Sequence, residues 1–153
     1  MSSTRPASGP RMIDPRGHRF GAGFSVVLLA AAFLAAQPVI VMFIALALGV
    51  SAWFGTRYSV LGRPWPLVRR VLRVGPPAEL ESEFPPRFAQ ALGATFLGIA
   101  TIAFLLGFTT LGWIVTAAVA VLQITLAATG YCLGCRLYFL RWYVPGLFTR
   151  LAR

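Results

Sequence analysis

A chain of 153 residues has room for one domain, and with 58% hydrophobic and 12% charged residues it carries more apolar surface than a water-soluble domain of that size can bury. The net charge of +10 would suit a nucleic-acid binder if it were clustered. All 14 cations are Arg, and none of them, nor Asp14, Glu79, Glu81 or Glu83, falls within residues 20–56 or 88–135, so the charge is segregated and nucleic acid is set aside as a partner.

In chain order, residues 1–12 are turn formers without periodicity and read as a disordered tail, and residues 13–153 form a single membrane domain. The two uncharged stretches are each about twice the ~20 residues that a helix needs to cross a bilayer. The first breaks at Gln37-Pro38 into spans near 20–36 and 38–54. The second breaks at Gly107-Phe-Thr-Thr-Leu-Gly112 into spans near 88–107 and 112–131. The expected fold is therefore all-α, a bundle of four transmembrane helices in two hairpins, since unsatisfied backbone is costly in lipid. Between the hairpins, Pro64-Trp65-Pro66 opens a short amphipathic helix over residues 64–74. It sets Leu67, Val68, Val71 and Leu72 against Arg69, Arg70 and Arg73, which suits the lipid interface, with Trp65 at headgroup level. Gly75-Pro-Pro77, three acids and Pro85-Pro-Arg-Phe88 read as a stiff, irregular connector. After the last span, aromatic residues mark the interface up to Pro145-Gly146, and a second surface-lying turn follows. No internal repeat is evident beyond the repeated hairpin plan.

The Arg residues lie before the first span, in the central loop and after the last span. Because cations concentrate in cytoplasmic loops, all three segments belong in the cytoplasm, with both termini inside. A signal peptide ending near Ala35-Ala36 is the competing reading of the first apolar run. The apolar character resumes at once after Pro38, as a hairpin requires.

Cys132-Leu-Gly-Cys135 is the strongest chemical motif. A cytosolic CxxC points to thiol redox, sulfur carriage or metal rather than to a structural disulfide framework. Within a regular helix the two side chains stand too far apart to bond, so closing the disulfide would distort the turn at Gly134. Arg136 beside the pair would favour the thiolate, whereas a helix N-terminus is not evident there. Cys132 is the expected nucleophile and Cys135 the resolving thiol. Metal binding is short of ligands, since His18 is the lone histidine and, though expected on the same face, lies in a separate segment; a site shared within a homo-oligomer or two-coordinate binding of a soft metal stays open. Gly130 with Gly134, and Ala94 with Gly98, have the spacing of close helix contacts, and Gln123 and Gln90 read as interhelical hydrogen-bonding groups. No ionisable residue lies inside the spans, which argues against a pump. No hydrolytic constellation and no phosphate-binding loop are present. Two other functions stay open, a non-enzymatic membrane anchor or assembly partner and a metal-binding membrane protein.

Ile13-Asp-Pro-Arg-Gly17, Gly75-Pro-Pro-Ala-Glu-Leu-Glu81, Pro85-Pro-Arg-Phe-Ala-Gln90 and Tyr131-Cys-Leu-Gly-Cys135 together resemble the bacterial membrane family described as domain of unknown function 4395, well represented in actinobacteria. Arg136 departs from the Glu of that family's pattern. The resemblance implies thiol or sulfane-sulfur chemistry with a thioredoxin-like or rhodanese-like cytoplasmic partner. A looser, architectural likeness is to four-helix oxidoreductases that link disulfides to quinones and work toward the outside. The inward-facing charge pattern favours a reducing or sulfur-relay role instead.

Overall fold

A computed structural model describes residues 12–138 except 76 and 78; of the tail expected over residues 1–12, Met12 is ordered in a strand, and residues 1–11, like the aromatic and basic segment after Tyr138, lie outside the described residues. Helix α1, Pro15–Leu34, starts earlier than the charge pattern implied. Asp14 occupies its N-cap, where Oδ1 accepts the Arg16 N–H at 2.9 Å, and Pro15 suits a first turn whose N–H would be unpaired. Helix α2, Pro38–Phe54, begins at the expected proline. A 3-10 turn, Thr56–Tyr58, and the short helix α3, Trp65–Val71, follow. Helix α4, Phe84–Leu105, takes Pro85 and Pro86 into its first turn, so the supposed irregular connector at residues 85–88 is helical. Helix α5, Thr109–Thr129, stops at Gly130 (φ 75°), two residues short of the expected span. A new helix, α6, is described over residues 133–138. The expected all-helical class gains one small exception: β1, Met12–Ile13, pairs antiparallel with β2, Glu81–Ser82, and ties the starts of α1 and α4 together.

The long helices close into a ring in which α1 touches α2 and α5, and α4 touches the same two. Leu29, Val41, Ile44 and Leu97 fill its centre with Ala32 and Ala100. Between α2 and α4 the buried Ser51 hydroxyl donates to Gln90 Oε1, which satisfies two polar groups in an apolar interior. The outside is as apolar as the inside: Trp53 is 82% exposed, Leu105 80% and Phe43 60%. That much exposed apolar surface is consistent with a membrane protein. By length and composition α1, α4 and α5 are able to cross a membrane, while α2 is shorter at 17 residues.

The two turns between long helices repeat one another. At the α1–α2 turn, Ala35, Ala36 and Gln37 donate to Ala31, Phe33 and Ala32; at the α4–α5 turn, Leu106, Gly107 and Phe108 donate to Ile102, Phe104 and Ala103. Ala36 (φ 51°) and Gly107 (φ 85°) occupy the same left-handed position. The partnership across the hairpins is reciprocal. Arg19, at the start of α1, donates to Ala127 O and Ala128 O at the end of α5, and Arg87, at the start of α4, donates to Ala52 O and Trp53 O at the end of α2. Each guanidinium meets carbonyls that have no partner within their own helix, at the negative end of its dipole. Phe20 then lies tilted against Trp65 with centroids 5.6 Å apart, as Phe88 does against Tyr138 at 5.8 Å. A repeat is thus present where the sequence suggested only a repeated plan. It is carried by Arg-Phe at positions 19–20 and 87–88 and by contacts, not by extended identity.

Candidate functional site: a cysteine–histidine cluster

Gly130 ends α5 in the left-handed conformation, and its N–H donates to Leu126 O. Tyr131 N–H then bonds to Thr129 Oγ1 at 3.0 Å, turning the chain out of the α5 axis. Cys132 falls just before α6. Its Sγ accepts the Cys135 N–H at 3.1 Å and its carbonyl accepts the Arg136 N–H at 3.0 Å, the bonding pattern of a helix N-cap. This corrects two sequence expectations. The pair does stand at a helix N-terminus, and it does not lie inside a continuous helical turn, so the sulfurs reach disulfide distance with Cα atoms 5.1 Å apart and no helix need be distorted.

Gly134 serves the site by close approach. A Cβ there would fall 2.7 Å from Ala89 Cβ and 2.9 Å from Ala89 Cα, so only glycine lets α6 rest on the start of α4. Gly130 does not pair with it along one helix face, as the GxxxG spacing suggested; it is the terminator between two helices. Among the described residues, nothing lies within 4 Å of where a Gly98 Cβ would stand, so it makes no close helix contact there.

His18 completes the site. One ligand atom each from His18, Cys132 and Cys135 lies within 4.8 Å of the others, and His18 Nε2 is buried without a hydrogen-bond partner among the described residues. The adjacent Arg19, locked onto the α5 carbonyls, puts the histidine there. Sequence spacing offers no third metal ligand beside the cysteines because His18 lies in another segment; the structure brings that segment to them and supplies the third donor. Its one legible signal was being the only histidine, next to an Arg placed to reach a helix end.

Around the cluster, the Arg136 guanidinium lies over the Tyr131 ring at 5.2 Å. The Trp65 indole N–H donates to Asp14 Oδ2 at 3.2 Å, and Gly17 leaves room for its ring. Arg69 reaches Asp14 at 4.0 Å and donates to Val74 O, while Arg70 and Arg73 are exposed. Helix α3 is therefore pinned to the start of α1 on one side and shows Leu67, Val71 and Leu72 outward. Gln123 bridges no helices: its Oε1 is buried, unpartnered among the described residues, and lines a cavity of about 240 Å³ beneath the cysteines that His18, Gln90 and Cys132 also line.

A family assignment follows from the segments that build this end of the bundle. A sequence model matches residues 13–142, from β1 through every helix described. The chain belongs to the family DUF4395, domain of unknown function. No curated protein and no solved structure matches it. In the DUF4395 chain the motif residues converge in space. Ile13 and Asp14 form the ribbon and the α1 cap, Gly75 O accepts from Arg16, Pro85 and Pro86 open α4, and Tyr131 to Cys135 make the cluster.

Proposed function

We propose that this DUF4395 chain is a four-span protein of the bacterial cell membrane whose Cys132–Cys135 pair exchanges disulfides with, or relays sulfane sulfur to, a thioredoxin-like or rhodanese-like protein of the cytoplasm. The observation that carries the reading is the CxxC pair across a helix N-cap. There the unpaired N–H groups of the first turn present partial positive charge and favour the thiolate, the attacking form. In the dithiol state, Cys132 attacks one sulfur of a partner disulfide and the partner's second sulfur leaves as thiolate. Cys135 then attacks Cys132, releasing the partner as a dithiol and leaving the pair oxidised. The reverse sequence, attack by a partner dithiol on the oxidised pair, returns two electrons from that partner to the pair. Two features support four crossings: α2 is uncharged over its 17 residues, about the minimum for a span, and both inter-helix turns carry no charge. Arg residues ahead of and within the first turns of α1, and between α2 and α4, support a cytoplasmic site. The exposed Leu67, Val71 and Leu72 support contact of α3 with lipid, framed by Trp65, Arg69, Arg70 and Arg73.

The trapping experiment uses Cys135→Ser in native membranes. A mixed disulfide on Cys132, visible as a heavier band without reductant, is expected. If neither Cys135→Ser nor Cys132→Ser traps a partner and alkylation finds free thiols after oxidant, thiol exchange is not the function. A second reading has its own observation in the convergence of His18 on both sulfurs. Two cysteines and one histidine form a three-ligand zinc site with one open position. Stoichiometric metal in the reduced chain, lost in His18→Ala, would favour it.

A further inference from the structure

The cavity beneath the cysteines has a use that disulfide exchange with a soluble protein leaves unexplained. It holds about 240 Å³ and reaches all four long helices. Its wall residues that are exposed to the outside include Phe96, Leu122, Leu133 and Leu137, all large and apolar. In a membrane such a mouth faces hydrocarbon, so the entrant is lipid-soluble. The interior is not uniformly apolar. His18 Nε2 and Gln123 Oε1 are buried there without partners among the described residues, an arrangement that costs free energy unless a ligand supplies the missing bonds. Rotating the Gln123 amide by a half-turn offers its NH₂ in place of the oxygen, so the cavity is able to donate to a carbonyl. Cys132 closes the same cavity.

We infer that the cavity binds a lipid-soluble quinone that exchanges two electrons with the Cys132–Cys135 pair. The inference rests on the thiol reading above and extends it by naming the second redox partner. The chemistry balances without further reagents. The two thiols lose two electrons and two protons as the S–S bond forms, and the two quinone carbonyls take them up to become the hydroxyls of the quinol. His18 and Gln123 hold the carbonyl oxygens, the apolar wall takes the ring face, and the isoprenoid chain trails out past Phe96 and Leu122. A fatty acid or phospholipid would also enter such a mouth, but neither accepts electrons from the sulfur that lines the cavity.

The test uses the purified full chain in nanodiscs, reduced and kept anaerobic, mixed separately with a short-chain benzoquinone, a short-chain naphthoquinone and oxidised glutathione. Quinone absorbance and thiol mass-tagging are followed together. One quinol formed per disulfide is expected with at least one quinone. Gln123→Leu, which removes the polar atoms, and Leu122→Trp, which plugs the mouth, should slow that step by about tenfold or more while oxidation by glutathione keeps its wild-type rate. If glutathione oxidises the pair and neither quinone does, the quinone site is refuted and thiol exchange stands. Equal quinone rates in wild type and both variants would also refute it, since the reaction would then bypass the cavity. Inertness toward all three oxidants would remove the thiol reading itself.

Discussion

Replacing Gly134 with Ala tests the packing on which the site rests. The new Cβ would stand 2.7 Å from Ala89 Cβ and 2.9 Å from Ala89 Cα. Carbon atoms settle at about 3.5–4.0 Å, so α6 and α4 must part by about 1 Å. Neither opposing atom lies at the end of a flexible side chain, so the strain goes into the backbone, at about 1–3 kcal/mol for overpacking of this kind. A loss of about 2 kcal/mol changes the folded-to-unfolded ratio by roughly 30-fold. The movement also carries Cys132 and Cys135 away from His18. Thermal unfolding of the full chain in detergent micelles, followed by circular dichroism, should show Gly134→Ala melting several degrees below wild type. Adding Ala89→Gly removes the nearer opposing atom and should recover part of the loss, while the backbone carbon of residue 89 still crowds the new methyl. If Gly134→Ala melts with wild type, and Ala89→Gly does nothing in its background, α6 does not rest on α4 as described.

Four other outcomes are expected. Arg19→Ala should destabilise the chain by about 2 kcal/mol in the same assay, because it strips charge-assisted bonds from the α5 carbonyls, and Arg19→Lys should restore only part, since one ammonium does not reproduce the forked contact. Ala36→Gly relieves a left-handed alanine and should raise stability by about 1 kcal/mol, with no change in thiol reactivity. Ser51→Ala and Gln90→Leu should each cost about 1–3 kcal/mol by orphaning the other partner, and the double variant should cost less than the sum. In intact cells, a membrane-impermeant maleimide should fail to label Cys132 and Cys135 from outside after reduction; labelling would overturn the cytoplasmic orientation.

Hydropathy made the long helices legible because lipid demands an uninterrupted apolar run, and Pro38 marked the start of α2 without help from tertiary structure. The starts of α1 and α4 were harder to read. Arg16, Arg19 and Arg87 looked like the end of helical territory, yet charge reports depth in the membrane, and a helix is free to begin before it enters lipid. Pro15 and the Pro85-Pro86 pair were the better signals, since proline fits a first turn. At the site, the CxxC spacing was plain, but Gly130 has two meanings, a small packing residue or a left-handed terminator, and the GxxxG spacing drew attention to the wrong one. That choice hid the N-cap position of Cys132. His18 was beyond local reasoning: it is placed by Arg19, whose partner Ala127 is 108 residues away.

The reciprocal arginines also order events during synthesis. When the first hairpin leaves the ribosome, the carbonyls of Ala52 and Trp53 wait for Arg87, which arrives only with α4. Arg19 must wait longer still, since Ala127 and Ala128 belong to the last long helix. The first two long helices are therefore unfinished at the ends that carry Arg19 and Trp53 until α4 and α5 have been made, which discourages them from settling as an independent unit. The cysteines emerge after His18, Ala89 and all four long helices, so a nascent chain halted before the end of α5 displays no thiol. Two fragments divided in the central loop should accordingly be stable in the membrane only when made together.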